Sequence, residues 1–385
     1  MHTDTANLLK ELLEADFLYY TEGKSTLSDN EYDRKREQFK ALEPGHPYLK
    51  SVGAPVPVNA KKVTHRIVAG SQEKIKSEEE LVGWAGQTRG NYVEQWKLDG
   101  ATLVLQYTDG CLMEAASRGD GEVGESVLFN VVNMPSVPKR LPYPFTGDIR
   151  GEVVLSKGNF AQFFAPLGHS NPRNSVAVLR DQKGSGLAKH LDFVAFDLVE
   201  LDGHEYATEL NKVAVLGEFG FTHVETVVVT EKNDLWRVFT EFESRRSAYQ
   251  YEVDGVVVKF SSLADQAALG SSSDNRPKGQ RSIKFSNDEA ETTFKDLKLT
   301  MGSTGSVVPT GDFNPVECGG VIISSVLLNN FDYITDLDLR RGDRVVLERA
   351  GGVIPKIARV IPQYRCPHCG FEGTENEQKI HHANI

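Results

Sequence analysis

Charged residues stand inside strand-like apolar runs at five places in this sequence, and each such charge costs free energy in a sheet unless it is paired or bound. The five stretches are KLDG (97–100), SRGDGEVGE (117–125), RGEVVL (150–155), DGVVVK (254–259) and RSIKF (281–285). A single charge of this kind is usually an edge residue or one half of a core ion pair. Five of them in one region predict a pocket that binds an anion.

The lysine of the first stretch, Lys97, precedes a run with the alternation of a strand. Apolar and polar side chains alternate over ATLVLQY (101–107), a TDG turn follows, and CLMEA (111–115) predicts the return strand of a hairpin. The pattern K-x-D-G should occur by chance in roughly one chain of this length in ten, so it indicates little by itself. On its own, Lys97 is either a solvated charge at a strand edge or a reactive group.

Composition sets broad limits on the fold and the compartment. A length of 385 residues predicts two or three domains, and 39% apolar with 25% charged residues is typical of a globular chain. There is no run of eighteen apolar residues, so we expect no membrane partner. The first residues lack a basic and apolar signal, and the four cysteines do not suggest a disulfide framework. These features predict a cytoplasmic protein.

The charge distribution is uneven along the chain. The net charge of −11 argues against indiscriminate binding of nucleic acid by the whole molecule. Residues 340–365, however, contain seven lysines and arginines and only two acids, Asp343 and Glu348. This segment predicts either a local surface that faces phosphates or an ordinary solvated face.

The order of local patterns predicts an α+β chain in four parts. Residues 1–58 have helical spacing and a capping-box pattern, SDNE (28–31). Residues 59–287 mix strands and loops too irregularly for βαβ repeats, which favours antiparallel sheets. Residues 288–364 are rich in glycine and short β-branched runs, which is typical of a small barrel. Residues 365–385 form a polar tail that contains CPHCG.

In order and spacing, these stretches resemble the motifs of NAD+-dependent DNA ligases of the bacterial type, in the lysine-nucleotidyltransferase superfamily. Further matches are NPRNS (171–175) and ERAGGVIPKI (348–357), so the resemblance runs from about residue 8 to about residue 370. It implies a helical NMN-binding domain, a nucleotidyltransferase domain of the ATP-grasp-like ligase adenylation type, and an OB-fold. It also implies three reaction steps: adenylylation of the enzyme by NAD+, transfer of AMP to a 5′-phosphate, and sealing of nicked duplex DNA.

The resemblance assigns roles to individual residues. Lys97 is implied as the nucleophile, and its amine must lose a proton before attack because the ordinary pKa of lysine is about 10.4. Lys259 and Lys284 are implied as neighbouring cations, and Asp99 and Glu152 as ligands of the ribose and of the water shell of Mg²⁺. The residues implied to contact the nucleotide are Ser71, Gln95, Arg118, Arg173, Arg180, Phe196 and Arg246.

The helical region implies which nucleotide is used. YYTEGKSTLSDNEYD (19–33) resembles the NMN-binding domain of the NAD+-dependent branch, with Tyr19, Tyr20, Asp29, Tyr32 and Asp33 at its motif positions. Tyrosine rings suit the cationic nicotinamide, and carboxylates suit ribose hydroxyls and the carboxamide. From the residues alone, SDNEYD is only the start of a capped helix.

Departures from the family pattern indicate a divergent member, of viral or split form, in a bacterial or virus-infected bacterial cell. Gln95 stands where the family has Glu, and neighbouring Glu94 could compensate. Cys366 and Cys369 form half of a zinc site, with His381 and His382 as the remaining candidate donors, so zinc stays open. The expected helix-hairpin-helix clamp does not follow, so the chain is either a truncation or a large subunit with a second polypeptide.

Two other functions stay open at this point. An ATP-dependent ligase or a capping guanylyltransferase would share the lysine motif but not the first 58 residues. A non-catalytic nucleic-acid-binding subunit would keep the fold, and the presence of all five expected catalytic side chains argues against it.

Overall fold

A computed structural model describes residues 2–17, 27, 29–50, 61–169, 171–181, 186–201, 203, 206–272, 275–286, 288–301, 307–318, 321–328, 331–350, 354–361, 364–365 and 372–373. The chain separates into two compact units, Met1–Phe285 and Ser286–Ile385. None of the helices in these described parts combines the length and the apolar character needed to span a lipid bilayer.

The first unit begins with two helices, as the spacing predicts. Helix α1 spans His2–Phe17 and α2 spans Asp29–Leu42, where the EPGHP sequence ends it. A single turn of 3-10 helix follows at Pro47–Lys50. The two helices and this turn share a small apolar core, made of Leu8, Leu12, Phe39, Tyr48 and Leu49.

Two mostly antiparallel sheets and a separate pair of strands follow in the first unit. Its strands are β1 (Lys62–Thr64), β2 (Glu73–Ile75), β3 (Tyr92–Leu98), β4 (Ala101–Thr108), β5 (Cys111–Ser117), β6 (Val123–Glu125), β7 (Gly147–Val154), β8 (Asp192–Glu200), β9 (Thr226–Val229), β10 (Val253–Phe260) and β11 (Gln280–Lys284). The larger sheet has the order β2-β11-β10-β3-β9 and the smaller one β5-β4-β7-β8, while β1 pairs only with β6. All pairs are antiparallel except β2 with β11.

Short helices cover these sheets. They are α3 (Glu78–Ala85), α4 (Leu128–Val131), α5 (Lys157–Asn159), α6 (Pro172–Ser175), α7 (Glu209–Glu218), α8 (Leu235–Arg245) and α9 (Leu263–Leu269). One apolar cluster packs on the smaller sheet around Tyr107, Ile149 and Phe193, and another joins the larger sheet to α3 and α8 around Trp96 and Phe260. The predicted hairpin at 101–115 is confirmed as β4 and β5.

The KLDG stretch is the point at which the chain passes from one sheet to the other. Lys97 and Leu98 end β3 in the larger sheet, and β4 starts at Ala101 in the smaller one. A Cβ on Gly100 would lie 2.0 Å from the carbonyl oxygen of Val153, so only glycine fits this crossing. The position of Gly100 therefore has a packing reason that is independent of any chemistry at Lys97.

The second unit is a barrel, which confirms the predicted OB-fold. Its elements are β12 (Asp288–Met301), β13 (Val307–Cys318), β14 (Val321–Leu327), α10 (Phe331–Asp336), β15 (Arg344–Ala350) and β16 (Ile354–Val360). The strand order is β14-β13-β12-β15-β16, and the two edges, β14 and β16, approach each other. Phe294, Phe313 and Leu347 lie in its core. A short pair, β17 (Tyr364–Arg365) and β18 (Glu372–Gly373), follows.

One carboxyl group is buried in the apolar core of the first unit. Glu94 lies on β3 with no exposed surface, on the same side of the strand as Tyr92, Trp96 and Leu98, and neither carboxyl oxygen has a hydrogen-bond partner. Burial, reinforced by Glu241 and opposed by Arg237, raises the pKa of Glu94 to about 9. Because Glu94 faces the core, it cannot compensate for Gln95 on the other side of the strand.

This pKa predicts a loss of stability with rising pH. The unfolded chain releases the Glu94 proton near pH 4.5, whereas the folded chain holds it up to about pH 9, so each pH unit within this window costs up to about 1.4 kcal/mol. Glu94→Gln should remove this dependence, and its stability advantage over the parent protein should grow from pH 6 to pH 8.5. Urea unfolding followed by tryptophan fluorescence measures it, since Trp84, Trp96 and Trp236 all lie in or against this core. A difference that is constant with pH would contradict the assignment.

Candidate active site

A cavity of about 1020 Å³ lies in the first unit, and both sheets and the two N-terminal helices contribute to its walls. Twelve lysines and arginines line it, against seven carboxylates, although the whole chain is acidic. Of the residues that the sequence predicts for the site, the lining set is Tyr32, Asp33, Ser71, Gln95, Lys97, Arg118, Glu152, Arg173, Arg180, Phe196, Lys259 and Lys284. A cationic cleft of this size suits a nucleotide with several phosphates.

Lys97 lies beside a carboxylate that the sequence argument did not single out. Its Nζ is 2.8 Å from Oδ1 of Asp254 and donates to Oδ2 at 2.9 Å, and Nζ of Lys284 lies 3.7 Å from the same carboxylate. Burial pushes the pKa of Asp254 upward, but Lys97 and Lys284 outweigh it and hold the pKa below the ordinary range. Asp254 is therefore a shared counter-ion for two lysines. The sequence signal was present, since an acid opens the strand that carries Lys259.

The strand order explains why these three side chains meet. Strand β10 lies between β3 and β11, and Gly255 is opposite Lys97 on one side and Lys284 on the other. A Cβ on Gly255 would lie 2.0 Å from the carbonyl oxygen of Ile283, so the position accepts only glycine. Asp254 and Gly255 open the DGVVVK stretch (254–259). The aspartate provides the carboxylate, and the glycine lets the neighbouring strands approach closely.

Lys259 is not paired with Asp254. It is almost fully buried, and its Nζ donates to Glu209 at 3.0 Å and to the carbonyl oxygen of Phe196 at 3.2 Å. The sequence predicted Lys259 and Lys284 together as the cations next to Lys97. In the structure, Lys284 shares the counter-ion of Lys97, whereas Lys259 has a carboxylate of its own.

Glu152 extends from β7 into the cavity. Thr102 on the adjacent strand donates to its Oε2 at 2.9 Å. Desolvation raises the pKa of Glu152 to about 7, against the lowering effects of Thr102, Lys97 and Arg118. Its carboxyl group can therefore change protonation state near neutral pH.

Asp99 lies outside the cavity lining and forms an ion pair with Arg173, which does line it. Arg173 stands in the first turn of α6, and this helix is capped by Asn171, whose side chain accepts from the backbone N–H of Asn174 at 2.8 Å. The sequence predicts Asp99 as a ligand of ribose and metal. In the structure Asp99 holds the arginine of the NPRNS stretch, and its contact with ribose and metal stays a prediction.

The other predicted arginines differ in their surroundings. Arg118 and Arg180 line the cavity, and Arg180 lies 3.4 Å from Glu125. Arg246 begins a turn of 3-10 helix, Arg246–Ala248, and is not part of the cavity lining. Its predicted contact with phosphate stays a prediction.

The side-chain amide of Gln95 has a fixed orientation. Thr226 Oγ1 donates to the carbonyl oxygen of Val224 at 3.2 Å, so it accepts the N–H of Gln95 at 3.0 Å. This leaves the Gln95 carbonyl oxygen as an acceptor. Phe196 lines the same cavity and also packs against the apolar cluster of the larger sheet. Its ring could therefore contact adenine or serve only as a core side chain, and both interpretations stay open.

The helical wall of the cavity contains a buried polar network. The hydroxyls of Tyr32 and Tyr48 lie 3.0 Å apart, and Tyr48 donates to Asp16 at 2.9 Å. Asp33 forms an ion pair with Lys74 of the larger sheet. Asp29 begins α2, but its side chain, like Tyr19 and Tyr20, lies outside the described residues.

Comparisons with known proteins identify the family. Three family models match consecutive parts of the chain: the DNA ligase-like N-terminal NAD+-binding domain over residues 1–57, the NAD-dependent DNA ligase adenylation domain over 59–287, and the NAD-dependent DNA ligase OB-fold domain over 291–368. The chain belongs to the NAD-dependent DNA ligase family.

Curated relatives agree with this ligase assignment. The DNA ligase of Lacticaseibacillus casei is 33% identical over 401 residues, covering 95% of this chain and 59% of the relative. That of Petrotoga mobilis is 31% identical over 401 residues, covering 94% and 59%. The chain thus spans about 59% of the length of the relatives it matches. A solved structure of Lig E DNA ligases covers 77% of this chain and 100% of its own at 15% identity, and its TM-score of 0.40 is too low to bear on function.

The described residues contain no group of three or more His, Cys, Asp or Glu side chains arranged to hold a metal ion. Cys366 and Cys369 lie outside the described residues, so the predicted zinc half-site stays a prediction.

The basic segment of the barrel is balanced by acids from neighbouring strands and loops. Its ion pairs in the described part are Arg340–Asp338, Arg341–Asp296, Arg344–Glu291, Lys356–Glu348 and Arg359–Glu289. Three of these acids belong to β12, which pairs with β15. The local excess of positive charge seen along the sequence is therefore smaller on the folded surface.

The Asp99–Arg173 pair can be tested by a double-mutant cycle. Asp99→Asn and Arg173→Gln should each lower the free energy of unfolding by about 1–3 kcal/mol, and the double variant should lose less than their sum. The exposed Arg237–Glu241 pair is the control, and its two losses should be additive because solvent screens the pair. Urea unfolding of the four proteins measures both cycles. Additive losses at Asp99 and Arg173 would show that the pair does not hold the loop.

Proposed function

We propose that this chain is an NAD+-dependent DNA ligase that forms a lysyl-AMP intermediate at Lys97 and seals 5′-phosphate/3′-hydroxyl nicks in duplex DNA. The observation that carries the proposal is the single cavity lined both by the Lys97 site and by α1 and α2. A mononucleotide donor such as ATP would need only the half of the cavity next to Lys97. The dinucleotide NAD+ would also need the half next to α1 and α2. Tyr32, Asp33, Arg36 and Lys40 extend the wall to that second half.

In the first step, the nitrogen of Lys97 forms a bond to the adenylyl phosphorus, and the bond from phosphorus to the oxygen of NMN breaks. NMN leaves with that electron pair. The Lys97 ammonium group must first release its proton to solvent water, because Asp254, with its lowered pKa, is better suited to orient the amine than to keep the proton. Lys259, Lys284 and the cavity arginines would stabilise the negative charge on the phosphate oxygens.

The hydrogen-bonding groups of the cavity wall suit adenine. The acceptor oxygen of Gln95, fixed by Thr226, matches the exocyclic amino group of adenine. Glutamine can thus provide the same acceptor as the glutamate of the family pattern. Glu94 has no part in this contact, because it lies in the core.

Magnesium is part of the proposal through Glu152. Mg²⁺ keeps most of its waters and needs only one or two protein carboxylates besides phosphate oxygens, so a single glutamate in a phosphate site fits it. When bound, the ion neutralises charge on the phosphates. The residues of the chain hold the nucleotide and orient Lys97 toward its phosphate.

Two later steps complete the proposed reaction. AMP moves from Lys97 to the 5′-phosphate of the nick, and the 3′-hydroxyl then displaces AMP to join the strands. The exposed arginines of the barrel would exchange their carboxylate partners for DNA phosphates, which fits a salt-sensitive interaction. We also propose the division into residues 1–58, 59–287, 288–364 and 365–385. A second polypeptide has no support, and we do not propose one.

Replacing Tyr32 separates the proposed function from its ATP-dependent alternative. Tyr32→Ala should slow adenylylation by NAD+ about 100-fold, because the NMN half of the cavity loses its aromatic wall, and should change sealing of a pre-adenylylated nick by less than about threefold. Single-turnover assays of the two reactions measure this split.

Tyr143→Ala, at a tyrosine outside the cavity lining, is the control and should change neither reaction. Equal losses in the two assays for Tyr32→Ala would remove the helices from NAD+ recognition.

A further inference from the structure

Glu209 forms a fully buried ion pair with Lys259, and no motif of the sequence pointed to it. Their side chains are only 1% and 3% exposed, and the Nζ–Oε2 distance is 3.0 Å. A buried ion pair seldom adds net stability, because removing two charges from water costs about as much as their attraction returns. When such a pair lies at the wall of an active-site cavity, a functional reason is the better explanation.

The fold fixes Glu209 relative to Lys259. Glu209 is the first residue of α7, which is capped by Thr208, so its carboxylate lies at the positive end of the helix. Its backbone N–H donates to the carbonyl oxygen of Ser261 at 2.9 Å, two residues beyond Lys259. Gln266 of α9 donates to the second carboxylate oxygen at 2.8 Å. The carboxylate is therefore held by Lys259 and Gln266, and the backbone of Glu209 is anchored beside the strand that carries Lys259.

The ammonium group of Lys259 is held in a fixed orientation by its hydrogen bonds. Of the three N–H donors of its ammonium group, one reaches Glu209 and one reaches the carbonyl oxygen of Phe196. Lys259 lines the cavity whereas Glu209 does not, so the third donor is the one left for a ligand. Glu209 stands behind the lysine and does not touch the nucleotide.

Other charges around Lys259 act in both directions. Asp197 of β8 has its pKa held at about 2, because Lys212, Lys259 and Arg150 outweigh the effect of burial. Lys212 lies 2.8 Å from Asp197 and also faces Glu209. Asp197 and Glu209 attract the ammonium group of Lys259, whereas Lys212 and Arg150 repel it, and Glu209 is the carboxylate that Lys259 contacts directly.

We propose that Glu209 is a positioning residue that keeps Lys259 a protonated, immobile phosphate ligand and prevents it from acting as a proton acceptor for Lys97. This inference rests on the proposed adenylyl transfer. It assigns the two cavity lysines different tasks, since Lys259 stabilises charge with a fixed ammonium group and Lys97 must give up its proton.

Glu209→Gln tests the proposal through the pH dependence of adenylylation by NAD+. Without the carboxylate, buried Lys259 should lose its proton at lower pH, so the alkaline limb of the rate profile should move down by about one to two pH units. Glu209→Asp keeps the charge and should leave the limb near its original position. Glu218→Gln, at the exposed far end of α7, is the matched control. An unchanged limb in Glu209→Gln would overturn the proposal.

A second measurement uses the unaltered chain and does not depend on catalysis. In a ¹⁵N-lysine NMR spectrum, the ammonium group of Lys259, assigned with Lys259→Arg, should give a signal that is protected from exchange with solvent. A missing or neutral signal would overturn the proposal even if Glu209→Gln fails to fold. A protected signal in a chain that never forms the AMP adduct would instead contradict only the proposed ligase function.

Discussion

The ion contacts of Asp254 with Lys97 and Lys284 are the interaction on which the rest of the site depends. Two ammonium groups on strands that flank β10 would repel each other without this carboxylate. The strands can approach because Gly255 has no side chain at the position opposite both lysines. The cavity then takes its shape from the sheet that carries these three charges and from the facing sheet, which carries Glu152.

Local patterns in the sequence were sufficient for much of the fold. The hairpin of β4 and β5 follows from alternation and a turn, and α2 ends where EPGHP stops it, because both depend on residues a few positions apart. The nucleotidyltransferase and barrel regions followed from motif order. Asp254 and Glu209 were missed because their partners are distant in sequence: Lys97 is 157 residues from Asp254, and Lys259 is 50 residues from Glu209.

Two charge patterns in the sequence acquire partners only in the fold. Arg344 and Arg359 belong to a basic stretch, and β12 places Glu291 and Glu289 beside them. Asp99 is implied as a ligand by the family resemblance, and the fold places it beside Arg173, so its contact with ribose and metal stays a prediction. In both cases the partner comes from another strand or loop. An acid or a base can be assigned to a ligand only after its cross-strand neighbours are known.

The central claim is that Lys97 is the nucleophile and NAD+ the donor, and intact-protein mass spectrometry tests it most directly. The chain should be incubated with Mg²⁺ and either NAD+ or ATP, beside Lys97→Ala and the exposed-lysine control Lys62→Ala. The account predicts a single AMP adduct from NAD+ alone, present in Lys62→Ala and absent in Lys97→Ala. An adduct from ATP, or one that survives Lys97→Ala, would contradict it.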